Sequence, residues 1–360
     1  MQGLLRHLRA AGHAVVLAAD PGGPLWSAVE DTGAERWPLP VRHGADVWAG
    51  VRLRRRVRDM DVIHFHTARA HALAPWLGSA RGVRVVTRRM DYRPHPAAYA
   101  RFLYNRCVDH VVAISRAIRD VLVATGVAPE RISIIPSGVD VGRFVIPDAE
   151  RDAVRREWGV TMPGQPVVLA IGALVRRKGH DVLIEAVRRL RAGGTQVTMV
   201  VCGEGPERAA LAAGARAAGV ADAVRFVGWR SDVPRQLGGA DVVALPSTHE
   251  GLGVAALEAM AAGRAVVASD VGGLTEVVRH GETGWLVPPG DAGALERSLA
   301  QAIADPERRR AFGRAARERV MREFSMTRMA AENEALYRRL LDAGARWNAA
   351  AGGAAVGAIR

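Results

Sequence analysis

The chain is poor in cysteine and in aromatic residues, and it has no long apolar run. Two of its 360 residues are cysteine, and 5% are aromatic. Cys107 and Cys202 cannot form a disulfide framework and no Cys-x-x-Cys pair occurs, which is typical of a reducing compartment. No apolar segment approaches the ~18–20 residues that span a bilayer. The run "AVVLAA" at 14–19 is too short for the core of a signal peptide. These absences predict a cytoplasmic protein.

Lysine is almost absent as well. Lys178 is the single lysine among 50 basic side chains, and the other basic residues are arginine. Arginine presents a broad planar fork, whereas lysine presents a compact point charge on a flexible stem. A small anion such as a nucleotide phosphate would make that difference matter. The alternative is that lysine is simply rare in an arginine-biased composition and that this one has no special role.

The formal net charge of +13 is unevenly distributed along the chain. Residues 1–145 carry 21 Arg against 12 acidic residues, whereas residues 146–360 carry 29 basic residues against 25 acidic ones. The densest basic run is "VRLRRRVRD" at 51–59. Such a cluster favours contact with anionic lipid or another acidic partner, and the alternative is a solvated helix face. Nucleic acid is not predicted, because no aromatic interleaving and no recognised binding motif accompany the charge.

Short β-branched runs alternate with amphipathic helical stretches, which is typical of parallel α/β layers. A polar, proline-containing connector at 143–166 separates two such cycles. We therefore predict two α/β domains over 1–145 and 146–325, a helix over 326–345 and a disordered tail over 346–360. The candidate strands are 13–18, 61–66, 83–88, 110–115 and 132–137 in the first cycle, and 166–172, 196–203, 223–228, 240–247, 264–269 and 284–288 in the second.

The chain opens with a helix-like segment, "GLLRHLRAAGH" at 3–13. An α/β domain normally opens with a strand, and in a doubly wound sheet that strand is central. We therefore expect one strand and its following loop, about 15–25 residues, to lie upstream of Met1.

The stretch "PSTHEGLGVAALEAMAAG" at 246–263 combines a loop, glycines and two glutamates after a buried strand. A loop and helix N-terminus at the carboxyl end of a parallel strand form a site for an anion or a polar ligand. Gly251 and Gly253 allow the backbone to approach such a ligand closely. Glu250 lies in the loop, and Glu258 lies within the following helix on an otherwise apolar segment.

Four segments of the sequence resemble blocks of one protein family. "HEGLGVAALEAMAAG" at 249–263 closely resembles the E-x7-E motif of family-4 retaining glycosyltransferases, which adopt the GT-B fold. "GALVRRKGHD" at 172–181 looks like their phosphate-binding loop, "CGEGPE" at 202–207 like the next loop, and "IPSGVDVGRF" at 135–144 like the end of their N-terminal domain. The resemblance covers residues 1–340. It implies two Rossmann-like domains facing a cleft, with the helix over 326–345 returning to the N-terminal domain.

The resemblance also assigns roles to individual residues. Lys178 would neutralise the donor diphosphate, Glu250 would hold sugar hydroxyls, and Glu258 would bind the nucleotide ribose. Lys178 and Glu250 are the expected catalytic residues. The expected donor-binding set is Gly172, Arg177, Lys178, Gly203, Glu250, Gly251, Leu252, Gly253 and Glu258.

The sequence departs from the family pattern at the phosphate-binding loop. Ala173 stands where relatives often have arginine. Either Arg176 or Arg177 compensates, or an N-domain arginine from "TRRMDY" reaches across the cleft. We favour Arg88 or Arg89, on the N-domain side of the cleft, because an arginine pair at the end of a strand is well placed for a phosphate. His66, in "HFHTARAH" at 64–71, is a candidate on the acceptor side, and a hydrogen-bonded loop histidine is the alternative. No metal and no cofactor are expected, because no carboxylate or cysteine joins these histidines at ligand spacing.

The resemblance implies a retaining glycosyltransferase that uses a nucleotide diphosphate sugar as donor. The basic N-terminal half indicates a saccharide or lipid-linked acceptor of the cell envelope, with peripheral contact at the inner face of an anionic membrane. Two alternatives remain open at this point. One is a truncated or non-catalytic protein that binds nucleotide sugars, and the other is a GT-B nucleotide-sugar 2-epimerase.

Overall fold

The computed structural model describes residues 1–44, 46–78, 82–160 and 162–352. The chain divides into two compact units. Unit 1 comprises Met1–Gly138 together with Met326–Arg360, and unit 2 comprises Val139–Ser325. The first division falls at Gly138, seven residues before the predicted boundary at 145, and the second falls at Ser325.

Unit 1 contains parallel strands in two sheets. The first two strands pair with each other, and the other four form a sheet of order β3-β4-β5-β6. The second strand was not predicted, because its sequence "ERWP" is short and carries no apolar run that would mark it. It forms through pairing with the first strand, from Val16↔Glu35 to Ala19↔Pro38. The strands are β1 Val16–Ala19, β2 Glu35–Pro38, β3 Val62–Phe65, β4 Val83–Arg88, β5 His110–Ala113 and β6 Ile132–Ile134.

The helices of unit 1 follow the apolar periodicity of the sequence. In the sixth helix Ile118 and Leu122, one turn apart, are buried, and Ser115 caps the N-terminus by accepting a hydrogen bond from the backbone N–H of Ile118. Gly126 follows with a φ of 94°, a conformation that favours glycine and ends the helix. The helices are α1 Gln2–Ala10, α2 Pro24–Ala28, α3 Val47–Arg56, α4 Ala68–His71, α5 Ala97–Arg106 and α6 Arg116–Ala124.

Unit 2 is built on a six-stranded parallel sheet. Its order is β12-β11-β10-β7-β8-β9, so the direction of strand progression reverses between β7 and β10. In open α/β sheets, ligands bind outside the carboxyl ends of the strands at such a reversal. Each residue of β7 is buried, as expected for a strand covered on both faces. The strands are β7 Val167–Ile171, β8 Thr198–Cys202, β9 Val224–Gly228, β10 Val242–Leu245, β11 Ala265–Ser269 and β12 Gly284–Val287.

The segment 143–166, predicted to be a polar connector, contains a helix. This helix, α7, packs against α10. Val154 and Trp158, one turn apart, are both buried. Arg151 and Arg155 bind the two oxygens of Asp241, so the charged side of the helix is anchored as well. The helices of unit 2 are α7 Asp148–Glu157, α8 His180–Ala192, α9 Arg208–Ala217, α10 Val233–Gly239, α11 Val254–Ala261, α12 Leu274–Val277, α13 Ala292–Ala304 and α14 Pro306–Glu323.

The last helix, α15 Met326–Gly352, belongs to unit 1. It packs against α1 and β4, and its Leu336 and Tyr337 join Val85 and Val112 in a buried apolar cluster. The helix continues seven residues into the segment 346–360 that was predicted to be disordered, where the alanine-rich sequence has a high helix propensity. Residues 353–360 lie outside the described residues.

Candidate functional site

Three loops of unit 2 meet at the carboxyl edge of its sheet. They follow β7, β8 and β10, which are neighbours in the order β10-β7-β8. The loops 172–179, 203–207 and 246–253 are joined by backbone hydrogen bonds. The N–H groups of Gly172 and Leu174 donate to the carbonyls of Cys202 and Glu204, at 3.0 and 2.9 Å. The N–H of Thr248 donates to the carbonyl of Arg177 at 2.8 Å. The three predicted donor-binding segments are therefore brought together.

Two glycines make this close approach of the loops possible. Gly179 has a φ of 64°, and a Cβ added there would lie 2.0 Å from the carbonyl oxygen of Pro246. A Cβ at Gly203 would lie 1.9 Å from the carbonyl oxygen of Gly172. Any larger residue at either position would force the backbones apart. Gly179 of the phosphate-loop sequence and Gly203 of the next loop thus serve the packing of one loop on another.

Lys178 and Glu250 form an ion pair at the centre of these loops. The Nζ of Lys178 donates to Oε2 of Glu250 at 2.5 Å, and the two side chains are 13% and 14% exposed. The Oγ of Ser247 donates to the same carboxylate oxygen at 3.3 Å. The two predicted catalytic residues, 72 positions apart, therefore contact each other directly. A ligand phosphate could replace the carboxylate as the partner of the ammonium group.

Glu258 lies one turn into α11, whose N-cap is Gly253 with a φ of 88°. The Glu258 side chain is half-buried, and burial raises the pKa of its carboxyl above the usual range. The guanidinium of Arg143 opposes that rise in the pKa. Within the described part of the chain, no group donates a hydrogen bond to this carboxylate. The geometry leaves Glu258 free to bind ligand hydroxyl groups.

A glycine pair after β11 supports the Glu250 loop, and sequence analysis did not identify it. The N–H of Gly273 donates to the carbonyl of Glu250 at 3.0 Å. A Cβ at Gly273 would lie 2.4 Å from both the Gly251 carbonyl oxygen and the Leu252 Cα. Gly272, with a φ of 47°, would place a Cβ 2.1 Å from the Glu250 carbonyl oxygen. The glycine pair is visible in the sequence as "DVGG" at 270–273. Its role in supporting the Glu250 loop arises only because β10 and β11 are neighbours in the sheet.

The arginines next to Lys178 are both exposed. Arg176, Arg177 and Lys178 form a short 3-10 helix. The Nη1 of Arg177 donates to the carbonyl of His249 at 3.5 Å, which places its guanidinium beside the loop that carries Glu250. Ala173, where relatives often have arginine, is exposed on the same loop. Arg177 is therefore the better placed of the two to supply the positive charge that Ala173 lacks.

In unit 1, Arg88 does not have the environment that the sequence suggested. It is the last residue of β4, is 7% exposed, and donates to the backbone carbonyls of Met90 and Tyr92 at 3.0 and 2.6 Å. Its guanidinium therefore fixes the 90–92 turn rather than facing a ligand. Arg89 is exposed, and its Nη1 donates to Ser137 Oγ at 3.1 Å. Arg89 remains the candidate of the pair.

The ring of His66 packs against that of His64, with centroids 3.9 Å apart and the two planes tilted by 32°. The nitrogens of His64 contact the Tyr337 hydroxyl at 2.5 Å and the Thr87 hydroxyl at 2.7 Å. Burial lowers the pKa of His64 to about 3 and that of His66 well below its usual range, so both rings are neutral near pH 7. The Nδ1 of His66 is buried without a hydrogen-bond partner within the described residues. His66 thus offers a neutral donor or acceptor rather than a charge.

Two kinds of feature are not found in the part of the chain that the structure describes. No group of three or more His, Cys, Asp or Glu side chains is arranged to hold a metal ion. None of the described helices is long and apolar enough to cross a membrane.

Both halves of the chain match family models. Residues 155–319 match the family described as glycosyl transferases group 1. Residues 1–143 match the family described as glycosyltransferase family 4. The three loops of the candidate site therefore lie inside the first match, and His66, Arg88 and Arg89 lie inside the second.

Two curated relatives with transferase names are similar to this chain. A 2-deoxystreptamine glucosyltransferase from Streptomyces kanamyceticus is 32% identical over 256 residues, covering 70% of this chain and 66% of that protein. A lipopolysaccharide core biosynthesis mannosyltransferase, LpcC, from Rhizobium leguminosarum bv. viciae is 34% identical, covering 68% of each chain. In both cases the aligned region spans about two thirds of the relative.

A solved structure with the same fold is the crystal structure of Anabaena Alr3699/HepE in complex with UDP and glucose. The TM-score is 0.83 at 22% sequence identity, and the alignment covers 93% of this chain and 94% of that one. Together with the parallel sheets of the two units, this likeness confirms the predicted α/β fold of the GT-B class.

Proposed function

The chain belongs to glycosyltransferase family 4, and from that premise we propose that it transfers a sugar from a nucleoside diphosphate sugar to a saccharide or lipid-linked acceptor of the cell envelope, with retention of configuration. The observation that carries this proposal is the Lys178–Glu250 pair at the carboxyl edge of the unit 2 sheet. It places a phosphate-binding cation against a hydroxyl-binding carboxylate, which are the two chemistries that a nucleotide sugar requires.

The donor is held by groups of opposite character. Lys178 neutralises the diphosphate as a point charge, and Arg177 adds a second positive charge beside it. The backbone amides of Gly251, Leu252 and Gly253 and the carboxylate of Glu250 hold the transferred sugar. Gly172 and Gly203 pack against each other and hold the two loops beside Lys178, where the phosphates would bind. Glu258, one turn into α11, accepts hydrogen bonds from the ribose, and its half-buried position strengthens them.

The main catalytic task is to stabilise the negative charge that grows on the departing diphosphate. Preorganised cations and amides in a water-excluded site do this most effectively, because they need no rearrangement as the charge develops. Lys178 and Arg177 are placed for this task. Departure of the diphosphate and attack of the acceptor on the same face of the sugar account for retention without a covalent enzyme intermediate. On this mechanism, Glu250 orients the sugar and no carboxylate acts as nucleophile.

The acceptor is proposed from the charge of the N-terminal half and from one relative. Residues 1–145 carry an excess of nine arginines over acidic residues (21 against 12). The mannosyltransferase from Rhizobium is named for lipopolysaccharide core biosynthesis. An anionic or membrane-bound glycan fits both observations. His66 and Arg89 in unit 1 are the candidates to contact such an acceptor. The protein is proposed to act on the cytoplasmic side of a membrane, without a metal.

The two alternatives are less well supported. A non-catalytic nucleotide-sugar binding protein would not need the Glu250 carboxylate in direct contact with the Lys178 ammonium. A 2-epimerase would turn over the donor without an acceptor. If the protein converts a nucleotide sugar to its epimer without hydrolysing it and without any acceptor, the epimerase is favoured over the transferase.

The proposal is tested by thermal stabilisation with UDP-, GDP- and ADP-sugars. A ligand that binds the native state raises its stability. We expect a shift with one nucleotide class, and we expect Lys178→Ala and Glu258→Ala to abolish it. Arg216→Ala, which removes an exposed charge on α9, serves as the control and should keep the full shift. No shift with any nucleotide sugar would contradict the proposed donor site.

Replacing Gly273 by alanine is expected to lower turnover by about 100-fold. Gly273 has a φ of −70°, which alanine adopts without strain, so the effect comes from the added methyl alone. That methyl would press on the Gly251 and Leu252 backbone, and a displacement of about 1 Å in a catalytic loop can cost 10²-fold in rate.

Gly214→Ala is the matched control for this substitution. A Cβ at Gly214, in α9, meets no atom within 4 Å, so turnover should be unchanged. Both rates are measured with the donor identified by thermal stabilisation. Full activity of Gly273→Ala would show that the glycine pair does not support the Glu250 loop.

A further inference from the structure

Helix α3 of unit 1 exposes one aromatic residue within a basic face. Its buried side is formed by Ala49, Gly50 and Leu53. Trp48 is 77% exposed, and Arg52 and Arg55 are exposed as well. Positions 48, 52 and 55 follow the i, i+4, i+7 spacing, so the three side chains lie in one stripe along the helix. We call Trp48, Arg52 and Arg55, together with Arg42, the α3 face.

Hollows lie on either side of this stripe. One has a volume of about 520 Å³, and its lining includes Arg42, Trp48 and Arg52. The other has a volume of about 360 Å³, and its lining includes Trp37, Arg52 and Arg55. Arg52 therefore borders both. Each hollow combines a tryptophan ring with at least two guanidinium groups, which suits a ligand that has an anionic head and an apolar body.

Arg42, Arg52 and Arg55 form no ion pair within the described residues, although the charge of Arg52 acts on the Asp46 carboxylate and contributes to lowering its pKa. Asp46 lies nearby, but its carboxylate accepts hydrogen bonds from the backbone N–H groups of Ala49 and Arg42 and caps α3. By contrast, Arg36 of β2 is paired with Glu30 at 3.0 Å. The α3 face thus keeps its charge available for an external anion.

We propose that the α3 face docks onto an anionic lipid bilayer, with Trp48 at the level of the headgroups and with Arg42, Arg52 and Arg55 on lipid phosphates. Tryptophan has an amphipathic ring that favours the interface between water and hydrocarbon. Each arginine near an anionic surface strengthens binding through the surface potential. The guanidinium groups around the protruding ring are therefore complementary in charge to a surface of lipid phosphates. The purpose of docking, bringing the enzyme to a lipid-linked acceptor, rests on the proposed function, whereas the surface itself does not.

The first test uses the full chain without nucleotide sugar and measures co-sedimentation with vesicles. We expect binding to vesicles of phosphatidylcholine with phosphatidylglycerol, little binding to phosphatidylcholine alone, and a decrease as salt rises. The double variant Arg52→Gln, Arg55→Gln should lower the partition coefficient by roughly 25-fold, from about fivefold for each arginine near an anionic surface. Arg310→Gln with Arg314→Gln on α14 removes the same charge from another exposed helix and should leave binding unchanged.

The second test locates the contact by fluorescence. Phosphatidylglycerol with brominated acyl chains should quench part of the tryptophan emission of the wild type, and Trp48→Ser should lose that quenched part. Binding that is insensitive to Arg52→Gln with Arg55→Gln, or quenching that survives Trp48→Ser, would overturn the proposal. Equal binding of duplex DNA that also depends on Arg52 and Arg55, without lipid quenching, would assign the face to nucleic acid instead. The proposal would also be overturned if the protein did not bind the vesicles that contain phosphatidylglycerol.

The nucleotide-sugar thermal shift separates this proposal from the donor site. Both α3 variants replace exposed residues and should fold normally. They should keep the donor-dependent shift of the wild type. If an α3 variant loses vesicle binding but keeps the thermal shift with the donor, the effect lies on the α3 face. If the wild-type protein binds vesicles but shows no thermal shift with any nucleotide sugar, the proposed function is refuted and the docking proposal is not.

Discussion

Replacing Lys178 by alanine is expected to lower turnover by about 10²–10³-fold, the loss seen when one charge-stabilising group is removed from a transition state. The ammonium is mostly buried, and its partner in the structure is the Glu250 carboxylate at 2.5 Å. Its removal would leave the diphosphate without its central countercharge as the bond to the sugar breaks. The decrease is expected in kcat rather than in KM alone, because the charge on the leaving group is largest in the transition state.

Lys178→Arg distinguishes charge from shape at the same position. A Cβ at Gly172 would lie 3.5 Å from Cε of Lys178, so the lysine stem runs close to the backbone of the phosphate loop. The wider guanidinium fork is expected to fit poorly there, and turnover should remain well below the wild type. Arg216→Ala controls for the loss of one positive charge from unit 2. Near-normal turnover of Lys178→Ala would refute the catalytic role, and full activity of Lys178→Arg would show that charge alone matters.

Glu250→Gln is expected to have opposite effects on turnover and on binding of the free nucleoside diphosphate. Turnover should decrease by about 10–100-fold, since a hydrogen bond between the sugar and a charged group contributes about 1.5–3 kcal/mol. Binding of the nucleoside diphosphate should become tighter. In the ligand-free site the Lys178 ammonium is occupied by this carboxylate, and glutamine leaves the ammonium without its ionic partner.

The measurement is kcat with the preferred donor, together with calorimetric titration of the matching nucleoside diphosphate. Glu318→Gln, an exposed carboxylate on α14, is the control for a general change of charge and should alter neither quantity. The double variant Lys178→Ala, Glu250→Gln completes a double-mutant cycle. Strict additivity of the two single effects would contradict direct coupling. Weaker nucleotide binding by Glu250→Gln would contradict competition between the carboxylate and the phosphate.

Local patterns predicted most of the secondary structure. The buried strands of unit 2, such as "PVVLAIG" and "QVTMVVCG", correspond to β7 and β8 with ends shifted by one or two residues. Among the elements that the sequence analysis did not predict are β2 and α7. The four residues of β2 carry no apolar run and are held by pairing with β1. The apolar residues of α7, Val154 and Trp158, are few within a charged segment, and their burial depends on α10, which lies far away in sequence.

The candidate site was predicted unevenly for a related reason. Lys178, Glu250 and Glu258 stand in motifs that can be recognised one by one. The role of Gly273 could not be recognised, because a glycine pair has many uses and only the neighbouring loop reveals this one. Arg88 and Arg89 were predicted together, because they are adjacent in the sequence at the end of a strand. Arg88, the last residue of β4, donates to the carbonyls of Met90 and Tyr92, whereas Arg89, the next residue, donates to Ser137.

The sequence by itself determined the chemistry available to this protein: one lysine among arginines, two glutamates eight residues apart, and glycine-bearing loops after buried strands. The tertiary structure decided which of these groups meet. Lys178 and Glu250 are in contact because β7 and β10 are neighbours in the sheet, although β8 and β9 intervene in the chain. That order depends on how successive crossover helices pack on the two faces of the sheet. No single segment carries this information, because packing energy is shared among elements distant in sequence.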